Sequence, residues 1–274
     1  MQYPEILQMG LSPLGDAPWI ETDADLPRYH RHKLEQRALH GDGVYRVRDD
    51  SMAIQHELAD ALQHELTQLQ PQCFRKETDC LRYLPTNLAL PLAHDEPLSQ
   101  CSQWIADDLV LMAPIDGEYR LVAASLCSPS HWRLADKFDR SIADIHAPIP
   151  GFTKQLTPAV NRFFDHLKVQ HPVVRFNWSL QADDALHPDP DRDQEANADT
   201  PLYDRTERQS LRRLWRTGAV VFTIRVYLHP LETLAQTPGA MESLFAAIDA
   251  TEPALADYKD FTDLAPALAR YRPT

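Results

Sequence analysis

The sequence predicts an α+β fold, an antiparallel sheet of five strands with flanking helices. Three observations predict it. The pair Asp116-Gly117 stands between two apolar runs, Trp104 to Ile115 and Tyr119 to Cys127, and Asp-Gly is preferred chemistry for a tight hairpin turn. Three more strand-like runs follow a helical stretch: Val173 to Leu180, Glu207 to Leu214, and Ala219 to Leu228. The last two join near Arg216-Thr217-Gly218. Antiparallel runs with helices between them are the order of a layered α+β domain, and no alternation of single strands and helices is seen.

The remaining elements follow in chain order. Residues Met1 to Pro27 are proline-rich and without periodicity, which predicts an extended arm anchored by Trp19. A short helix is predicted over Tyr29 to Leu39. A longer one is predicted over Ser51 to Leu69, where Ile54, Leu58, Leu62, Leu66 and Leu69 form one apolar stripe before Pro71 stops it. Leu84 to Pro97 reads as loop. A helix is predicted over Ser130 to Ile145, with Ser130 as N-cap and Pro148 and Pro150 beyond its end. Another runs from Thr157 to Leu167, with Pro158 in its first turn. Asp183 to Asp199 is acidic and turn-rich, so it reads as a mobile surface loop. Ala240 to Ala250 returns to helix, and a tail begins at Leu255. The resulting division is an N-terminal arm with helices (1–83), a core (84–231) and a C-terminal helical tail (232–274), all within one structural domain.

Composition narrows the function. The chain has 274 residues, with 27 lysines and arginines against 40 aspartates and glutamates, a formal net charge of −13. An acidic surface repels phosphate backbones and anionic lipid heads, so neither nucleic acid nor a membrane is an expected partner. The basic run Arg205 to Arg216 reads as a solvated strand face. Cys73, Cys80, Cys101 and Cys127 have no C-x-x-C spacing, and reduced thiols point to a cytoplasmic protein. Met1 to Leu11 lacks the basic start of a signal peptide, and no apolar run is long enough to span a bilayer.

No G-x-S-x-G, G-x-G-x-x-G, P-loop or H-E-x-x-H motif is present, which argues against the commonest hydrolases, dinucleotide oxidoreductases and kinases. His30, His32, His56 and His64 read as solvent-facing. His146 differs, because it precedes Ala147-Pro148-Ile149-Pro150-Gly151. Prolines restrict the backbone after it, and Gly151 permits a sharp turn. A rigid corner suits a metal ligand. It equally suits a histidine that bonds the last carbonyls of a helix, and spacing alone favours that role. Arg225 lies mid-strand. If that face is buried, the charge needs an anionic partner; if half-exposed, Thr223, Arg225 and Tyr227 form its polar side.

Leu126 to Lys137, Ile145 to Gly151, Asn177-Trp178, Glu207 to Leu214 and Thr217 to Arg225, in this order, resemble one family. It is the haem-dependent oxidative N-demethylase-like family, of the α-subunit type. The resemblance covers about Leu84 to Leu231. His131 stands where the family more often has arginine, and Trp215 where it has proline.

The resemblance implies a PAS-like fold that binds haem b. It also implies oxidative N-demethylation of a small secondary amine with O2, in the manner of a haem-dependent monooxygenase. Electrons would come from a separate flavin or iron–sulfur reductase subunit, since no such domain is present in these 274 residues. Under it, His146 is the expected iron ligand. Trp132 is expected to contact the haem ring, and Arg133 and Arg225 to pair with its propionates. Glu207 is the candidate for the ammonium group and Tyr227 for donation to bound oxygen. Each also has a plainer role, as a surface ion pair and a packed tyrosine. A non-catalytic haem or gas sensor, and a haem-free small-molecule-binding protein, are the alternatives.

Overall fold

The structure, a computed structural model, describes residues 3–5, 8–92, 95–130, 133–152, 157–188 and 196–273. In chain order the N-terminal elements are β1 (Ser12–Pro13), α1 (Leu26–His40), β2 (Tyr45–Val47), α2 (Met52–His64), β3 (Phe74–Lys76), β4 (Cys80–Tyr83), β5 (Leu88–Pro91) and α3 (Pro97–Ser102). The central ones are β6 (Asp108–Ile115), β7 (Glu118–Ser125), α4 (Leu134–Lys137), α5 (Ile142–His146), α6 (Thr157–His166), β8 (Val173–Gln181), β9 (Tyr203–Arg213) and β10 (Val220–Pro230). The chain ends with α7 (Leu231–Leu234), α8 (Ala240–Asp249), α9 (Pro253–Tyr258) and α10 (Ala265–Leu268).

One antiparallel sheet organises the molecule, with strand order β1-β8-β9-β10-β6-β7-β2. Its five contiguous central strands are the five predicted ones. The short edge strands β1 and β2 bring it to seven. The β6–β7 turn has φ 51° at Asp116 and 83° at Gly117, the double positive φ that a two-residue hairpin of matching twist requires.

Two predictions are corrected. Leu84 to Pro97 is not loop throughout: β5 completes a second sheet, β3-β4-β5, with Leu90 buried against the core. The predicted helix from Ser130 to Ile145 is two short helices. Between them Asp139 turns back with φ 59°, its N–H donating to Leu121 O at 3.0 Å while Leu121 N–H donates to Arg140 O at 3.1 Å. Pairing with β7 outweighs continued helix. Ser141 then caps α5, its Oγ accepting from Asp144 N–H at 3.2 Å.

Alternation along β9 and β10 divides the sheet into two faces. Arg208, Ser210, Arg212, Thr223, Arg225 and Tyr227 share one. The N-terminal arm covers it. Trp19 is buried, with its indole N–H on Ser210 Oγ at 3.1 Å and Arg212 over its ring at 4.5 Å. Glu21 pairs with Arg208 at 3.0 Å and Asp23 with Arg225 at 2.8 Å. The basic run is therefore no solvated face. Arg205, Arg208 and Arg225 are buried, and Arg216 pairs with Asp60 at 2.7 Å. Arg208 and Arg225 cross-link the sheet to the arm, and Arg216 ties it to α2, where buried Glu57 accepts the N–H groups of Arg216 and Thr217.

The C-terminal segment builds a second core around Trp178, which stacks on Phe261 at 5.4 Å and meets Tyr3 edge-on at 4.9 Å. Of the predicted mobile loop, the part through His187 is tied down. Gln181 donates to Asp183 O and Ala185 O, Arg205 to Leu186 O, and His187 contacts Cys127 O. Residues 189–195 lie outside the described residues.

Candidate functional site

The second face of the sheet carries a cleft of about 250 Å³. Its floor is apolar and comes from the sheet: Val110, Met112, Leu121, Leu211, Phe222 and Ile224. Its far wall is also apolar, with Ile142 and Ile145 from α5, Phe152, and Val160, Phe163 and Phe164 from α6. Amphipathic α6 supplies these because its apolar positions recur at helical spacing. The polar groups gather elsewhere in the cleft, with Arg175 and Asn177 on β8, Glu207 and Gln209 on β9, and Tyr258 and Lys259 at the end of α9.

His146 lines the apolar part. Its ring is fixed twice. Nδ1 bonds Ile142 O at 2.8 Å, one turn back in α5, and Phe152 stacks on the ring at 4.2 Å with planes 8° apart. The acceptor is thus the helix and not the proline loop. The loop's part is to bring Phe152 over the ring, through Gly151 at φ 80°. Burial pushes the imidazole pKa below its ordinary value, with the Ile142 carbonyl opposing. The neutral ring places its proton on Nδ1, facing the carbonyl, and Nε2 has no hydrogen-bond partner among the described residues. Buried Lys137 donates to Ile145 O at 2.6 Å and so closes the C-terminal end of the same helix.

Glu207 is buried in the cleft wall and accepts from Asn177 at 3.2 Å, Gln209 at 2.8 Å and Arg205 at 3.4 Å. Burial alone would raise its carboxyl pKa. Arg205, Lys259 and the two amides outweigh that and hold it below the usual carboxylate range, so it is ionised. Arg205 also ties the wall together, donating to Ser128 O at 2.6 Å and to Gln181 Oε1 at 3.3 Å.

The structure brings His146 and Glu207 into one cleft and leaves other candidates outside it. Arg225 is fully buried on the opposite face, paired with Asp23 and packed over the rings of Tyr29 and Tyr227. Tyr227 donates to Glu21 there. Neither reaches the cleft, because odd-numbered residues of β10 point to the arm. Arg133 is exposed, at the start of α4. Trp132 and His131 lie outside the described residues. Of the four histidines expected to face solvent, His56 and His64 do, whereas His30 and His32 are half-buried on Gln103 O and Cys127 O. Among the described residues no cluster of three metal-ligating side chains occurs.

Sequence reasoning missed Arg175, Arg205, Tyr258 and Lys259. The parity of β9 put Arg205 on Glu207's face and was the available signal. Tyr258 and Lys259 come from a tail whose return over the sheet no local pattern announces.

The model of one protein family, described as haem-dependent oxidative N-demethylase, alpha subunit-like, matches residues 10–269. The chain belongs to this family. The match takes in most of the arm, the sheet, most of the cleft lining and most of the C-terminal tail. Among the described residues of this family member no helix is long and apolar enough to cross a membrane.

Proposed function

We propose that this chain would hold a b-type haem in the cleft, with His146 as its iron ligand, and that it oxidatively N-demethylates a small secondary amine with O2. The observation that carries the reading is His146 itself. A ligand histidine needs one ring nitrogen free and the other bonded to a fixed acceptor. Ile142 O and the Phe152 stack meet the second need, and the floor and wall are apolar like the faces of a macrocycle; at about 250 Å³ the cleft is smaller than a haem, so its walls would part to admit one. The family description, which is haem-dependent, agrees. The central strand order β8-β9-β10-β6-β7, a hairpin beside three antiparallel strands, supports a PAS-like reading of the sheet.

The haem would supply the O2 chemistry that oxidises the N-methyl carbon, releasing formaldehyde and the smaller amine. The chain's own residues do the rest. Glu207 is ionised but engaged by Arg205, Asn177 and Gln209, so it fixes the polar end of the cleft and is not left free for an ammonium group, while the apolar wall excludes water from the methyl group. Arg225 and Tyr227 have no part in this step. The α-subunit description implies a partner subunit, which would deliver electrons.

The test is formaldehyde release. Haem-reconstituted protein, given O2, dimethylamine and a reduced flavin as two-electron donor in place of the partner subunit, should release formaldehyde above a free-haem control. Yield equal to free haem from a protein that binds haem would favour the sensor alternative.

A further inference from the structure

The polar part of the cleft holds more positive charge than its own carboxylates neutralise. Arg175, Arg205 and Lys259 all interact with Glu207. Adding Asp260, which lies near Lys259, still leaves three cations facing two carboxylates. Glu207 is already engaged by Arg205, Asn177 and Gln209. Among the described residues Arg175 Nε is buried without a hydrogen-bond partner, and the Lys259 ammonium makes one hydrogen bond, to Trp178 O at 3.1 Å. Burial pushes the Lys259 ammonium down to about 8 and lowers Arg175 as well. Cations removed from water and only partly neutralised are costly to the fold, and a site that tolerates them is complete only with its ligand.

We propose that Arg175 and Lys259 form a carboxylate-binding subsite of the cleft. The proposal rests on the reading that the cleft takes haem. Its ligand is a carboxylate borne by a molecule whose apolar part lies on the Leu211, Phe222 and Ile224 floor. Two sources share that chemistry, the haem propionates and the carboxylate of an amino-acid-like secondary amine. Arg175 gives a planar fork and Lys259 a point charge, a pairing that binds carboxylate in preference to a neutral ester.

The full chain is titrated with haem and with haem dimethyl ester, followed by the Soret band, and the haem-loaded chain with N-methylglycine and with dimethylamine. Wild type is compared with the double variant Arg175→Met, Lys259→Met, and with Arg175→Lys, Lys259→Arg, which keeps both charges. A preference of roughly tenfold or more for haem over its ester, lost in the methionine variant and kept in the charge-preserving one, assigns the subsite to propionate. Equal binding of haem and ester, with a preference for N-methylglycine that the methionine variant loses, assigns it to the substrate. If wild type binds haem but shows neither preference, or the methionine variant keeps them, the subsite is refuted and the haem reading stands. If wild type binds no haem, both fall together.

Discussion

Arg225 shows how a residue's type can be read correctly and its role misassigned. A charge in mid-strand demands an anion, and the anion is Asp23 of the arm, on the face away from the cleft. Removing the arginine strands buried acid nearby, since Asp107 is within its field and fully buried. Arg225→Met should therefore lower unfolding stability by about 3 kcal/mol in urea while leaving haem affinity unchanged. A loss of haem affinity with unchanged stability would return Arg225 to the cofactor.

Asp107 itself gives a pH signature. Burial is the largest cause that raises its carboxyl pKa, from 3.8 to about 6, with Arg225 and Lys33 opposing. Below the lower value folded and unfolded chains both hold the proton. Between the two values only the folded chain does, so this group's contribution falls as pH rises through the window and is fully lost above about 6. Asp107→Asn cannot ionise. Its stability relative to wild type should rise by up to about 3 kcal/mol between about pH 4 and pH 7, read from urea unfolding at both. A difference that does not change with pH would contradict the assignment.

At the scale of elements, local chemistry was legible and long-range pairing was not. Asp116-Gly117 announced its hairpin because both residues tolerate positive φ. Gly117→Ala should cost about 1–2 kcal/mol from backbone strain alone, because nothing lies within 4 Å of an added Cβ. A variant as stable as wild type would show that the turn changes type. The α4–α5 break was hidden, because what stops the helix is a β7 partner at Leu121, far along the chain from Asp139. For the same reason the two-residue β1 and three-residue β2 leave no periodic pattern to read.

For the whole molecule, the sheet serves two different neighbours. The arm seals one face with ion pairs from partly exposed carboxylates to buried arginines, and the C-terminal tail closes the other over the cleft. His146 and Glu207 were visible in the sequence through family-like segments. Arg175 and Lys259 were not, because they meet only when residues 253–268 fold back on Trp178. Phe261→Ala removes the ring stacked on that tryptophan and should cost about 3–5 kcal/mol. If the tail builds the site, haem retention should fall with it. Full haem retention in a destabilised Phe261→Ala would mean that the tail is only a cover.

The absorption spectrum of the purified chain after haem reconstitution decides whether His146 holds a haem, with wild type, His146→Ala and His131→Ala side by side. Wild type and His131→Ala should show a histidine-ligated Soret band, and His146→Ala should lose that band or most bound haem. A His146→Ala spectrum identical to wild type, the reverse pattern in the two variants, or no haem bound by any of them would contradict that role of His146.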